Sequence, residues 1–219
     1  MMRRLMLDAR LHRLSRLVRL SSNTLYCRRH HLTSHQVKRS IVRDNARRYG
    51  LRVLVETGTY MGDMVWSALG SFALIYSVEI DSALAERARR VFASHPDVRI
   101  LAGDSADVLG SILEELDHAS LFWLDAHHSG GVTGGSNEYN PVVDEVRQIL
   151  AHTRNHVILV DDARLFNGTD GYPRMDSLRD VITSLAPANQ LEVIDDVIRI
   201  IPASVDWRAG GPAGSAPSR

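Results

Sequence analysis

Short apolar runs alternate with longer amphipathic stretches from Arg52 onward. The runs are Arg52–Glu56, Phe72–Glu79, Val98–Leu101, Ser120–Leu124 and His156–Val160. Runs of this length, bounded by turn residues, predict buried strands. Between them, Gly62–Leu69, Ser82–Ala93, Ala106–Leu116, Pro141–His152 and Met175–Leu185 carry apolar residues at helical spacing. Ser82 reads as an N-cap with Glu86 near the place a capping box requires, and Pro141 suits a first helical position. Gln190–Asp195 and Val197–Ile201 end the pattern as a strand pair. Strands alternating with helices predict an α/β fold: right-handed βαβ units in a doubly wound, mostly parallel sheet with helices on both faces.

The pattern ahead of Arg52 is different. Leu7, Leu11, Leu14 and Val18 fall on one helical face, with Arg13, Arg16 and Arg19 away from it. Ser21–Ser34 reads as a connector. Gln36–Tyr49 reads as a second helix, with Val37, Ile41, Val42 and Ala46 apolar and Gly50 at its C-cap. Charge separates the two parts. Residues 1–52 hold 14 Lys/Arg against Asp8 and Asp44, a net of +12, and the other 12 Lys/Arg and 24 Asp/Glu leave −12 on the remainder. The expected organisation is a basic helical arm over 1–50, a domain over 51–203 and a disordered Gly/Pro/Ala/Ser tail over 204–219. The arm leaves open docking to a membrane surface, an acidic partner or nucleic acid, and also plain packing on its own domain or on a second subunit. No nucleic-acid partner is expected of the whole chain. A single cysteine, Cys27, rules out an internal disulfide and points to a reducing, cytoplasmic compartment. No apolar run is long enough to span a membrane.

Candidate chemistry starts at Val53–Gly62, V-L-V-E-T-G-T-Y-M-G. An apolar strand meets an acid, Glu56, then glycines at Gly58 and Gly62, then a helix. Glycine permits a sharp turn and close approach of a ligand, and the helix start offers unpaired N–H groups. Acids also recur at strand ends: Glu56, Glu79, Asp104, Asp125 and the pair Asp161–Asp162. In a parallel sheet these ends share one edge, where ligands bind. Gathering carboxylates there is costly unless cations or hydroxyls meet them.

These residues resemble the class I S-adenosylmethionine (SAM) methyltransferases, over about Arg52–Pro202. The resemblance implies a Rossmann-like sheet of seven strands with the last antiparallel. Glu56, Gly58, Thr59, Tyr60 and Gly62 match the family's first motif, with Tyr60 at the usual middle glycine. Glu79 matches the acid that accepts the ribose hydroxyls, and Asp104–Ser105 the position that contacts adenine. A NAD-binding domain is the rival within the fold class, but the first motif is not G-x-G-x-x-G. Further on, Leu124-Asp125-Ala126-His127-His128 and Val160-Asp161-Asp162-Ala163 resemble the metal-dependent sugar O-methyltransferases of the macrocin type. That likeness implies magnesium on Asp125, Asp161 and Asp162, and His128 as the base. The loop S-G-G-V-T-G-G-S-N-E-Y departs from the macrolide enzymes, so the acceptor is taken as a hydroxylated small molecule, a sugar or glycoside.

The residue chemistry is compatible with those roles. Magnesium favours carboxylate and water oxygens, and a metal-bound hydroxyl loses its proton more readily to a nearby imidazole. Each residue also has a plainer reading. Asp161–Asp162 can cap a turn, His127 and His128 can be polar loop residues, and Asp125 can bind substrate or SAM without metal. The Gly130–Gly135 stretch can be a simple loop rather than a lid, and Tyr60 and Trp123 can be packing residues. The alternative for the whole chain is a non-catalytic domain of this fold that engages an acidic partner through its arm.

Overall fold

A computed structural model describes residues 33–125 and 140–204. The arm helix through Leu7–Val18, the glycine loop with His127 and His128, and the tail lie outside the described residues. The elements in order are α1 (His35–Tyr49), β1 (Val53–Thr57), α2 (Asp63–Ala68), β2 (Leu74–Glu79), α3 (Ser82–Val91), β3 (Val98–Ala102), α4 (Ser105–Glu115), β4 (Leu121–Leu124), α5 (Val142–Ala151), β5 (Val157–Val160), a 3-10 turn (Ala163–Leu165), α6 (Met175–Leu185), β6 (Gln190–Ile194) and β7 (Val197–Ile201). The seven strands form one sheet in the order β3-β2-β1-β4-β5-β7-β6. β3, β2, β1, β4 and β5 pair in parallel, and β7 pairs antiparallel with both β5 and β6. The chain therefore has the Rossmann-like sheet expected of it, with β7 running against the others.

Alternation along the strands decides which helices cover which face, because successive strand side chains point to opposite sides. Val55, Tyr76, Phe122, Leu124, Ile158 and Ile198 join α4, α5 and α6 in one apolar layer. Leu54, Ile75, Leu121, Trp123, Leu159 and Val197 join α1, α2 and α3 in the other. Trp123 is packed in this second layer, as the plainer reading has it. Both faces being covered is why the strands read as continuous apolar runs.

Helix α1 changes the picture of the N-terminal region. Ile41, Val42 and Ala46 are buried against the sheet, so the residues grouped with the arm from 35 to 49 supply one of the three helices on that face. Gly50 ends the helix at φ +65°, the left-handed cap its position suggested. One cap differs from expectation. Asp81, not Ser82, caps α3, its carboxylate accepting from the N–H groups of Ala83 and Leu84 at 2.8 and 2.9 Å. Glu86 turns instead to the i+4 partner Arg90 at 3.1 Å. A carboxylate one residue earlier reaches the free N–H groups first, and also favours the positive end of the helix. No helix among the described residues is long and apolar enough to cross a membrane.

A histidine pair, with one ring buried, closes the end of the sheet opposite the acids. His156, just before β5, is buried; its Nδ1 accepts from the Ser120 N–H at 3.0 Å, and its Nε2 lies 2.7 Å from Nδ1 of His152. The ring stands edge-on to Phe122. Burial, with the neighbouring His152 and Arg154, lowers its pKa from 6.5 to about 3. The folded state thus keeps His156 neutral while the unfolded chain protonates it below about pH 6.5. Its contribution to stability is complete above that pH and is lost as pH falls toward 3. Urea unfolding should show a steeper acid loss for wild type than for His156→Gln, since glutamine can still accept from Ser120 but gains no proton.

Candidate functional site

Register brings the strand ends together. Thr57 pairs with Val78 and with Leu124, Glu79 with Ala102, and Leu124 with Val160. Gly58, Glu79, Gly103, Asp125 and Asp161 therefore leave the sheet side by side along one edge. The sheet order reverses between β1 and β4, and that is where crevices open in doubly wound sheets.

The β1–α2 turn is fixed by two glycines and one glutamate. Gly58 has φ +88°, and a Cβ there would meet the Asp125 carbonyl oxygen at 2.6 Å. Gly62 has φ +73°, and a Cβ there would strike the Phe92 ring at 2.8 Å. Glu79 ties down the turn between them: one carboxylate oxygen accepts from the Tyr60 N–H at 2.6 Å and the other from the Asp81 N–H at 3.0 Å. Glu79 is itself buried. Each carboxylate oxygen keeps a further lone pair for a ligand hydroxyl. Tyr60 holds the left-handed conformation at φ +44° with 61% of its surface exposed. It is therefore not a packing residue among the described residues, and its backbone explains why glycine is usual at its position.

Below this turn lies a buried chain of hydroxyls and acid. Thr59 Oγ1 lies 2.6 Å from Ser77 Oγ, which in turn donates to Glu56 at 2.5 Å. With the Ser77 proton directed at Glu56, the Thr59 hydroxyl donates to Ser77. Burial pushes the Glu56 carboxyl well above its usual range, against the Ser77 hydrogen bond; the charges of Asp125 and Glu79 add to the rise. Asp104 caps α4, accepting from the Ala106 N–H at 2.9 Å, and Ser105 opens that helix. The Gly103 N–H donates to the Glu79 carbonyl at 2.9 Å, which holds the β3 and β2 ends together.

The residues expected to carry magnesium also converge. Asp161 and Asp162 are both buried, and Asp162 has φ +55°. In an extended strand adjacent side chains point to opposite faces, so this left-handed step is what lets both carboxylates meet one group. That group is the ammonium of Lys38, from α1, at 2.6 Å from Asp161 Oδ1 and 2.8 Å from Asp162 Oδ1. Arg164 donates to Asp162 at 2.7 Å and also pairs with Asp196. Burial works against the Lys38 charge, but the two carboxylates outweigh it and raise its pKa above the ordinary lysine value. Two carboxylates thus meet two cations of the chain itself. Among the described residues no cluster of three His, Cys, Asp or Glu is placed to hold a metal. A magnesium ion on Asp161 and Asp162 would have to displace a buried ammonium. The expected ligand set Asp125, Asp161 and Asp162 does not fit a divalent ion in this arrangement. The expected base, His128, lies outside the described residues.

Two residues here were not singled out by sequence. Lys38 sits in a basic stretch far from the acids, and nothing local points across the 124 residues to Asp162. Glu145, in the first turn of α5, looks like an acid complementing the helix dipole. It is instead fully buried. The hydroxyls of Ser105 and Thr57 pull on its carboxyl, yet neither oxygen completes a hydrogen bond of good geometry among the described residues. Burial raises its pKa from 4.5 to about 7. Folding therefore favours its protonated form, so the site imposes no cost below pH 4.5 and a growing one as pH rises through 7. Glu145→Gln should stabilise the protein above neutrality by on the order of 3 kcal/mol, with the gain vanishing in acid. Chemical denaturation from pH 4.5 to 8 checks the slope.

No protein-family model matches this sequence, and no curated protein does. Solved structures do share its fold. An O-methyltransferase from Bacillus cereus in complex with S-adenosylhomocysteine superposes with a TM-score of 0.55 at 17% identity, over 83% of this chain and 90% of that one. A Podospora anserina methyltransferase bound to S-adenosylhomocysteine gives 0.54 at 18% identity, over 77% of this chain and 79% of the other. A Streptomyces achromogenes O-methyltransferase of tomaymycin synthesis, in complex with SAM, gives 0.54 at 15%, over 84% and 89%. At these identities the likeness is one of fold, and the fold is the Rossmann-like architecture of these methyltransferases.

Proposed function

We propose that the chain is a SAM-dependent methyltransferase acting on a hydroxyl of a small molecule, a sugar or glycoside. The observation that carries this reading is Glu79. Its buried carboxylate stands at the end of β2, beside the switch point, and pins the Gly58–Gly62 turn through the Tyr60 N–H. In that position it can accept the two ribose hydroxyls while holding the loop that would face the rest of the nucleoside. Asp104 and Ser105 stand one strand further out, where adenine would lie. Asp125 supplies negative potential near the place of the sulfonium.

Methyl transfer needs little from the protein beyond alignment and a route for one proton. The acceptor oxygen forms a bond to the methyl carbon as the carbon–sulfur bond breaks, and the hydroxyl proton goes to a base. The resemblance assigns that base to His128. Asp125 adjoins the same stretch of chain and faces the β1–α2 turn, which suits it to orient the acceptor hydroxyl.

The cofactor role is tested by calorimetry with SAM and S-adenosylhomocysteine. Glu79→Ala should weaken binding by about 10- to 100-fold, the loss of a charged hydrogen-bond acceptor at a buried site. Unchanged affinity would take Glu79 out of the site, and no binding by folded wild type would end the methyltransferase reading. With an acceptor in hand, His128→Ala should keep S-adenosylhomocysteine affinity and lose turnover by roughly 10²–10⁴.

A further inference from the structure

The macrocin-type resemblance implies a divalent cation at Asp161 and Asp162, and the structure places a lysine there. We propose that Lys38 is the resident cation of this site. Its ammonium occupies the position between the two carboxylates, so that the site recruits no magnesium and presents a lysine–aspartate pair to the acceptor. The role assigned toward the acceptor rests on the methyltransferase reading above.

Three observations carry this. The ammonium lies within 2.8 Å of both carboxylates, and the side chains of all three residues are at least nine-tenths buried. This is a built contact rather than a surface ion pair, whose partners would be solvated and whose worth would be small. Next, Lys38 is held from behind. α1 is packed against the sheet through Ile41, Val42 and Ala46, the turns that follow Lys38. The lysine therefore cannot leave without unseating a helix or abandoning two carboxylates. Finally, a second cation of the chain is already in place. Arg164 donates to Asp162 on the same Oδ1 atom that Lys38 uses, so a dication would add to two positive groups.

The exchange of a metal for a lysine changes what the site can recognise. A divalent ion offers several open positions and binds vicinal oxygens by chelation. An ammonium is a compact donor, and the carboxylates beside it are acceptors. Such a pair reads single hydroxyls by hydrogen bonding, which favours an isolated alcohol over a chelating diol. Lys38 acts as a positioning residue: it fixes Asp161 and Asp162 and sets the potential where the acceptor oxygen would lie.

The test uses the full chain, with and without millimolar MgCl2, MnCl2 or EDTA. Thermal melting and the electron paramagnetic resonance signal of free Mn2+ report binding. Calorimetry with S-adenosylhomocysteine is run on the same preparations. Wild type is expected to melt at the same temperature in all three solutions and to leave Mn2+ free. Lys38→Gln is expected to melt lower in EDTA and to recover by about 3 °C or more with Mn2+, the carboxylate pair now taking the ion. A divalent-dependent rise in wild type, reversed by EDTA, overturns the proposal, because the lysine would then be displaced by metal. A destabilised Lys38→Gln that ignores divalent ions also overturns it, because the lysine would then be an ordinary buried ion pair. If Lys38→Gln does not fold, Mn2+ binding by wild type decides alone. Protein that binds S-adenosylhomocysteine but also binds Mn2+ sinks only the lysine proposal. Protein that binds neither sinks the methyltransferase reading, and with it the acceptor role of Lys38.

Discussion

A parallel sheet has one direction, and that constraint governs this molecule. β1 to β5 all end at the same edge. Each ends in or beside an acid, so the edge gathers negative charge in a partly buried place. The surroundings show how that cost is met. Glu56 accepts a hydrogen bond from the Ser77 hydroxyl, Glu79 accepts from two backbone N–H groups, Asp104 accepts from the start of a helix, and the Asp161–Asp162 pair meets Lys38 and Arg164. Four different donors answer one repeated problem. The variety matters, because each donor leaves its acid with different lone pairs free for a ligand.

The sheet was legible because its signal is local and periodic. Leu54 and Val55 already point to opposite faces by their adjacency, and the two apolar layers follow. The acids were legible too, since each lies within a residue or two of a strand end. The partners of those acids were harder to see. Lys38 meets Asp162 across 124 residues, and in its own neighbourhood it is one basic residue among several. Ser77 alternates with apolar residues in β2 and carries no mark of its bond to Glu56. Glu145 sits where a helix start ordinarily wants an acid, so its burial is invisible until α5 is packed. Tyr60 shows the reverse failure: its backbone needs φ +44°, which a tyrosine gives no hint of.

At the N-terminal segment, charge and packing draw the boundary in different places. Charge divides the chain near residue 50, but packing does not. Positive residues on α1 make it look like part of the arm, while Ile41, Val42 and Ala46 bury it against the sheet. Charge composition reports on solvent and partners; burial of an apolar stripe reports on the core. Where the two disagree, the stripe places the helix.

The span between Lys38 and Asp162 also sets an order of events in time. The ribosome makes the lysine first, and its two carboxylates follow only after β1 to β5 have been added. Until then Lys38 lacks both of its carboxylates, and α1 has only part of its apolar bed. The edge can be completed only after nearly the whole domain has been translated. A chain stalled or cleaved before β5 would carry the turn at Gly58–Gly62 but not the lysine–aspartate centre, which makes that centre a late marker of a finished fold.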